Sequence, residues 1–269
     1  MSNNKEEIRV YIRKKYSKVA KLKESGTGCC GTGGCCCGDS SVSDSSIQEA
    51  AERLGYNTEE LNNIPEGSNM GLGCGNPIAI ASLKEGETVL DLGSGGGIDC
   101  FLALSKVGQT GHVIGVDMTP EMIELSRKNV AEEGCKNLEF RLGEIEHLPV
   151  ADNSVDVIIS NCVINLSLDK RQVFSEAYRV LKKGGRISIS DVAATAEIPE
   201  EMKNDLSAVA GCIAGAEHID NIRKMLSEVG FNNIRLTEKA NSREILNSWI
   251  PGRNLDKFVA SFYIEAQKD

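Results

Sequence analysis

The chain has little that would take it into or through a membrane. No apolar run approaches the length of about 18 residues that a spanning helix requires, and the first residues, MSNNKEEIRVYIRKKY, lack the apolar stretch of an export signal. A soluble, cytoplasmic protein is expected. Excess positive charge is missing as well: 30 Lys and Arg stand against 39 Asp and Glu, a formal net charge of -9. A broad phosphate-binding surface needs the opposite balance, so neither nucleic acid nor membrane is expected as a partner. Histidine is scarce, and His112, His147 and His218 are too scattered for a histidine metal centre; no structural metal is expected.

Cysteine, by contrast, is abundant. Ten cysteines in an exported domain would read as a disulfide framework, but in a reducing compartment they are expected as free thiols, available for metal or metalloid ligation and for redox chemistry. Cys29, Cys30, Cys35, Cys36 and Cys37 crowd a Gly- and Ser-rich segment, 25–46, that has almost no apolar side chain to pack. The remainder, Cys74, Cys100, Cys135, Cys162 and Cys212, are spread through the rest of the chain.

Hydrophobic periodicity divides the chain into three parts. Residues 1–63 carry an amphipathic helix over 5–24, whose basic residues read as a solvated face, then the cysteine-rich loop and a short helix over 46–54. Residues 64–192 alternate strand and helix: strands over 88–93, 112–117, 138–142, 155–160 and 186–191, helices over 98–107 and 170–181, and a KKGG turn before the last of these strands. Such alternation predicts a doubly wound, mostly parallel sheet. Residues 193–269 form an α+β portion, with helices over about 200–214 and 219–229 and an antiparallel hairpin pair, 233–238 and 258–267, at the sheet edge.

The segment DLGSGGG, 91–97, follows a strand and opens a helix. Gly93, Gly95 and Gly97 let the backbone turn tightly and approach a ligand. Asp117 ends the next strand, where a carboxylate can accept from both hydroxyls of a ribose. The glycine spacing is not that of a dinucleotide fingerprint, and Asp91 would repel a pyrophosphate while suiting the cationic amino group of a methionine moiety. S-adenosylmethionine is therefore the expected ligand. Ser94 and Met118 flank these positions, and in RLGEIEHLPV Glu144 and Ile145 resemble the adenine-binding segment of class I methyltransferases.

Cys162 lies just beyond the strand VDVIIS, at the sheet edge where α/β folds place ligands. Cys74 lies in a glycine-rich loop able to fold over that edge, and Cys212 lies in the small-residue stretch AVAGCIAGA. Asn161 and Asn165 beside Cys162 either order that loop or touch the methyl donor. Cys100 reads as a packing residue.

In these motifs, GLGCGNP, DLGSGGGIDC, SNCVINL and AGCIAGA, the chain resembles the arsenite S-adenosylmethionine methyltransferase family over residues 64–236. The resemblance implies that Cys74, Cys162 and Cys212 bind trivalent arsenic and that the 91–161 motifs, Asn161 among them, bind the methyl donor. It further implies an N-terminal cysteine with a redox role; Cys29, Cys30, Cys35, Cys36 and Cys37 all stand where it could fall and spacing does not choose among them, with Cys29 or Cys30 favoured. Arsenite or its thiol conjugates and a thiol reductant such as thioredoxin or glutathione are the partners it implies. Two other readings stay open on the residues alone: a methyltransferase for a small organic acceptor with structural cysteines, and a metalloid-binding protein without turnover.

Overall fold

The apolar runs of the central segment are strands buried on both faces. In the computed structural model, which describes residues 2–24, 44–199, 213, 215–249 and 255–269, β1 (Thr88–Leu92), β2 (His112–Asp117), β3 (Leu138–Leu142), β4 (Val155–Asn161) and β5 (Leu181–Ala194) run parallel. β6 (Asn232–Glu238) and β7 (Val259–Gln267) complete one seven-stranded sheet of order β3-β2-β1-β4-β5-β7-β6. β7 is antiparallel to both of its neighbours, as expected of the C-terminal pair, but the pair is not a hairpin: a helix, Ser242–Trp249, lies between the two strands and lets β7 insert between β5 and β6. The KKGG segment does not end a helix and restart a strand; it lies inside β5, with a register shift against β4 between Val155 and Val157.

Alternation along β1 explains why both faces are covered. Val89 packs into a core with Cys100, Ala103 and Val107 of α5 (Ile98–Val107), whereas Leu90 and Leu92 pack into a second core with Val173, Phe174 and Ala177 of α7 (Lys170–Val180). α6 (Pro120–Glu133) begins with proline in its first turn and ends at Gly134 in the left-handed region, a start and a stop written in its sequence. α8 (Ile219–Val229) is capped by the His218 side chain, which accepts from the amide of Asp220. α9 (Ser242–Trp249) packs on β7.

At the N-terminus, α1 (Ser2–Glu24) lies against α6, burying Ile12, Val19 and Ala20; α2 (Asp44–Arg53) and the single turns α3 (Thr58–Leu61) and α4 (Ile78–Ala81) lead to β1. The cysteine-rich segment, with Cys29, Cys30, Cys35, Cys36 and Cys37, lies outside the described residues, as do Cys212 and most of the 200–214 stretch. Among the described residues no helix is long and apolar enough to cross a membrane.

The strand order reverses between β1 and β4, whose parallel register sets Leu92 beside Ser160. The turn after β1 and the residues after β4 are thus neighbours at the carboxyl edge, the switch point at which open α/β sheets hold ligands.

Candidate active site

Beyond Leu92 the backbone enters the left-handed region at Gly93 (φ 72°), Gly95 (φ 50°) and Gly97 (φ 100°). A Cβ on Gly93 would collide with the side chain of Val163, so this position needs glycine both for its dihedrals and for its room. A cavity of about 580 Å³ opens at this turn, lined among others by Asp91, Gly93, Ser94, Gly95, Asp117, Met118, Glu144, Ile145, Asn161 and Cys162. Gly97 is not part of the lining: it caps α5, where an added Cβ would come within 2.9 Å of Phe140.

The carboxylates of the cavity are held in place by their own neighbours. Asp117 accepts from the amides of Gly95 (3.0 Å) and Thr119 (2.8 Å). Its enclosure raises its pKa, opposed by those amides. Burial pushes Asp91 well above the usual carboxylate range, and the charge of Asp99 adds to it, while a hydrogen bond from the Cys100 thiol (3.3 Å) works the other way. Cys100 is therefore more than packing: it is fully buried, and burial together with Asp91 holds its thiol protonated. Burial raises Asp99 to about 6 against the hydrogen bonds of Tyr56 and Asn161. A cation brought to this pair relieves what burial penalises. Ser94 also lines the cavity, and its buried Oγ has no hydrogen-bond partner among the described residues.

Two of the expected thiols meet here. Loop 64–77 folds over the sheet edge and sets Cys74 beside Cys162, with 5.9 Å between their Cα atoms, and the two form a disulfide. All the thiols were expected free; the chain path brings these two into bonding range and they are paired, while the redox poise of the surroundings sets whether the bond stands. Cys162 has φ 56°, left-handed for a residue with a side chain, while its amide continues the ladder to the Ser190 carbonyl (2.8 Å). Such a conformation costs on the order of 1–3 kcal/mol and persists where its surroundings impose it.

Cys74 is pinned from all sides. Its amide donates to Asn161 Oδ1 (3.0 Å), and its carbonyl accepts from Lys239 Nζ (2.6 Å) and Ser261 Oγ (3.0 Å). Lys239 is buried, which lowers its pKa to about 8. Asn161 Nδ2 donates to Tyr56 Oη (2.9 Å) and to the Gly75 carbonyl (2.7 Å). Both asparagines therefore order the thiol loops: Asn165 reaches from the turn after Cys162 to Asp191 and the Val192 carbonyl of β5. Asn161 also borders the cavity. Sequence reasoning missed Tyr56, Lys239 and Asp191, which sit in no local motif, and Asp99, which had a signal: it lies within DLGSGGGIDC, in the first turn of the helix that the cofactor turn opens.

The N-terminal helix corrects a second expectation. Its basic residues are not merely a solvated face: Arg13 pairs with Glu144 (3.2 Å), Arg9 with Glu144 (3.9 Å) and Glu146 (3.7 Å), and Lys21 with Glu121 (3.0 Å). Arg9, Ile12 and Tyr16 line the cavity over the cofactor turn, so α1 forms part of its wall.

Comparison with known proteins bears on what this cavity is for. Residues 83–230 match a family model described as a methyltransferase domain. The chain is 48% identical over 265 residues to an arsenite methyltransferase of Halobacterium salinarum, covering 98% of this chain and 67% of that one. The chain belongs to the arsenite methyltransferase family. A mouse arsenite methyltransferase is 39% identical over 67% of this chain and 50% of its own, so the chain spans about half the length of that relative. The crystal structure of an arsenic(III) S-adenosylmethionine methyltransferase from Chlamydomonas reinhardtii superposes with a TM-score of 0.60 at 34% identity, covering 82% of this chain and 72% of that one.

For an arsenite methyltransferase the methyl donor is S-adenosylmethionine, and the cavity fits it on chemistry. Asp91 offers a buried carboxylate for an ammonium group, Asp117 retains acceptor capacity for ribose hydroxyls beyond the two amides it serves, and Ser94 offers an unused hydroxyl. Glu144, expected near the adenine amino group, borders the cavity but is shared with Arg9 and Arg13.

Proposed function

We propose that this chain methylates trivalent arsenic held by cysteine thiolates, in the service of arsenic detoxification. The observation that carries this reading is the meeting of Cys162, bonded to Cys74, with the glycine turn on one cavity. Cys212 is proposed as the third sulfur; its neighbour Ile213 is buried in the same core cluster as Cys74 and Cys162.

When bound, S-adenosylmethionine supplies an electrophilic methyl group on a cationic sulfur. The chain's part is to bind and position. Thiolates are the soft ligands that suit arsenic, and three of them leave its lone pair free to face the methyl group. The lone pair forms the new As–C bond while the S–CH3 bond breaks with its electrons remaining on the donor sulfur. No proton leaves arsenic, so no general base is needed, and rate comes from alignment of the two partners. Arsenic is then formally pentavalent. Two electrons return it to the trivalent state, supplied by two thiols that become a disulfide. In the form seen here, Cys74 and Cys162 are bonded to each other and cannot both ligate arsenic. A thiol reductant such as thioredoxin or glutathione is proposed to reopen the pair, with Cys30 or Cys29 relaying the exchange. Arsenite or its thiol conjugates are the proposed substrates, and the cytoplasm, where such reductants act, the proposed location.

The test is a methylation assay with arsenite, thiol reductant and S-adenosylmethionine on the parent and on Cys74→Ser, Cys162→Ser and Cys212→Ser. Loss of every methylation step is expected for Cys162→Ser and Cys212→Ser. Cys74→Ser is expected to spare a second methylation, because a monomethylated arsenic needs only two sulfurs. A parent that binds donor and arsenite without transfer would instead favour sequestration.

A further inference from the structure

The sulfurs of Cys74 and Cys162 have a third neighbour of another kind. Asp191, where β5 passes the ends of β4 and the Cys74 loop, places a carboxylate oxygen so that it and the two sulfurs all lie within 4.8 Å of one another, and all three residues are buried. Asp191 is 2% exposed. Its Oδ1 accepts from Asn165 Nδ2 (3.0 Å) and the Val192 amide (2.7 Å), and the backbone of Asn165 and Ile164 and the charge of Lys170 also favour the carboxylate; Oδ2 is buried with no side-chain donor of ordinary hydrogen-bond geometry among the described residues. Buried carboxylate oxygens normally have donors, and one without calls for an explanation. Nothing in methyl transfer to a three-sulfur arsenic site requires a carboxylate here.

We propose that Cys74, Cys162 and Asp191, once the disulfide is reduced, form a binding site for a thiophilic divalent cation of the Zn2+ or Cd2+ class. Two thiolates and a carboxylate are a donor set such ions favour. With zinc–sulfur bonds of about 2.3 Å and zinc–oxygen bonds of about 2.0–2.2 Å in a tetrahedron, the donors of one ion stand about 3.5–3.8 Å apart. The two sulfurs, bonded to each other in the form seen here, therefore part on reduction while the carboxylate closes on them. Reduction by an added phosphine opens the S–S bond, delivering two electrons, with two protons taken from water; the phosphine becomes its oxide, and the ion then displaces both thiol protons. The carboxylate is what separates this site from an arsenic site. Cation binding is measured with neither arsenite nor methyl donor, so the proposal stands or falls apart from the arsenic reading.

The experiment uses the full chain and a full-length variant with Cys29, Cys30, Cys35, Cys36 and Cys37 replaced by serine, so that loop thiols do not compete. Each is reduced, freed of phosphine and titrated anaerobically with Cd2+, followed by the ultraviolet thiolate-to-cadmium band and by calorimetry. One Cd2+ per chain is expected in the five-serine variant, and none after reoxidation. Asp191→Asn keeps an acceptor for Asn165 and Val192 and should weaken binding on the order of tenfold to a hundredfold, at least the loss seen when only an outer partner of a metal site is removed. Equal affinity in Asp191→Asn, or undiminished uptake by the oxidised protein, overturns the proposal. Should that variant fold poorly, the cadmium X-ray absorption spectrum of the five-serine chain decides: an oxygen beside two or three sulfurs with the carboxyl carbon behind it, which a bound water lacks, is expected, and an all-sulfur shell or an oxygen without that carbon overturns the role of Asp191.

Discussion

Asn161→Ala is the substitution on which the geometry of the thiol loops can be tested most directly. The side chain holds the Cys74 amide (3.0 Å), the Gly75 carbonyl (2.7 Å) and Tyr56 Oη (2.9 Å) at once, bridging β4 to loop 64–77. Tyr56 keeps a second partner in Asp99 (2.8 Å), so its loss is minor. The Cys74 amide and the Gly75 carbonyl lie in buried residues and would be left unsatisfied, each at about 1–3 kcal/mol. A total near 2–5 kcal/mol is expected, a large part of the roughly 5–15 kcal/mol that holds a domain together. Urea denaturation of parent and variant, both kept reduced so that the disulfide does not mask the effect, measures it, and re-formation of the Cys74–Cys162 bond should also slow in the variant. A stability within about 0.5 kcal/mol of the parent would mean that Asn161 does not organise this loop, and that the pairing of the two cysteines has another cause.

Reduction of the parent should itself lower stability. The disulfide spans 88 residues of sequence, for which chain-entropy arguments give up to about 4–5 kcal/mol, and denaturation with and without phosphine compares the two states. Gly93→Ala forces a side chain into left-handed backbone against Val163 and should abolish S-adenosylmethionine binding in calorimetry; retention of binding would refute the tight-turn assignment. Asp99 titrates at about 6 in the fold against 3.8 for the ordinary group, so the folded chain holds a proton that the unfolded chain has lost. Stability without ligand should therefore fall by a few kcal/mol as pH rises from about 4 to about 6. Asp99→Asn, which can still accept from Tyr56, should flatten that slope in thermal melts, and an unchanged slope would assign it to other groups.

Much of the frame was legible in sequence because it rests on local periodicity. Runs such as TVLDLG and VDVIIS could be buried only as strands, and their alternation with helices implied a parallel sheet. The antiparallel pairing of the two C-terminal strands was expected, but their connection was not: a helix, rather than a tight turn, joins them. The cofactor turn was legible for a different reason: glycine at positions 93 and 97 is demanded by backbone dihedrals, which act within a few residues, whereas the room each needs is set by Val163 and Phe140 from elsewhere in the chain. KKGG misled, since a glycine pair marks a turn equally well whether it ends a strand or interrupts one.

What composition and spacing determined, then, was the order of elements, the edge where ligands gather and the identity of the thiols that could gather there. What tertiary structure alone decided was contact between residues far apart in the chain. Cys74 meets Cys162 as a disulfide, Lys239 and Ser261 grip the Cys74 carbonyl from the far end of the fold, Arg9 and Arg13 close over Glu144, and Asp191 comes to rest beside the sulfurs. No local pattern encodes such meetings, because each depends on how a whole sheet stacks its loops, and a buried charge or thiol takes its chemistry from whatever neighbours that stacking supplies.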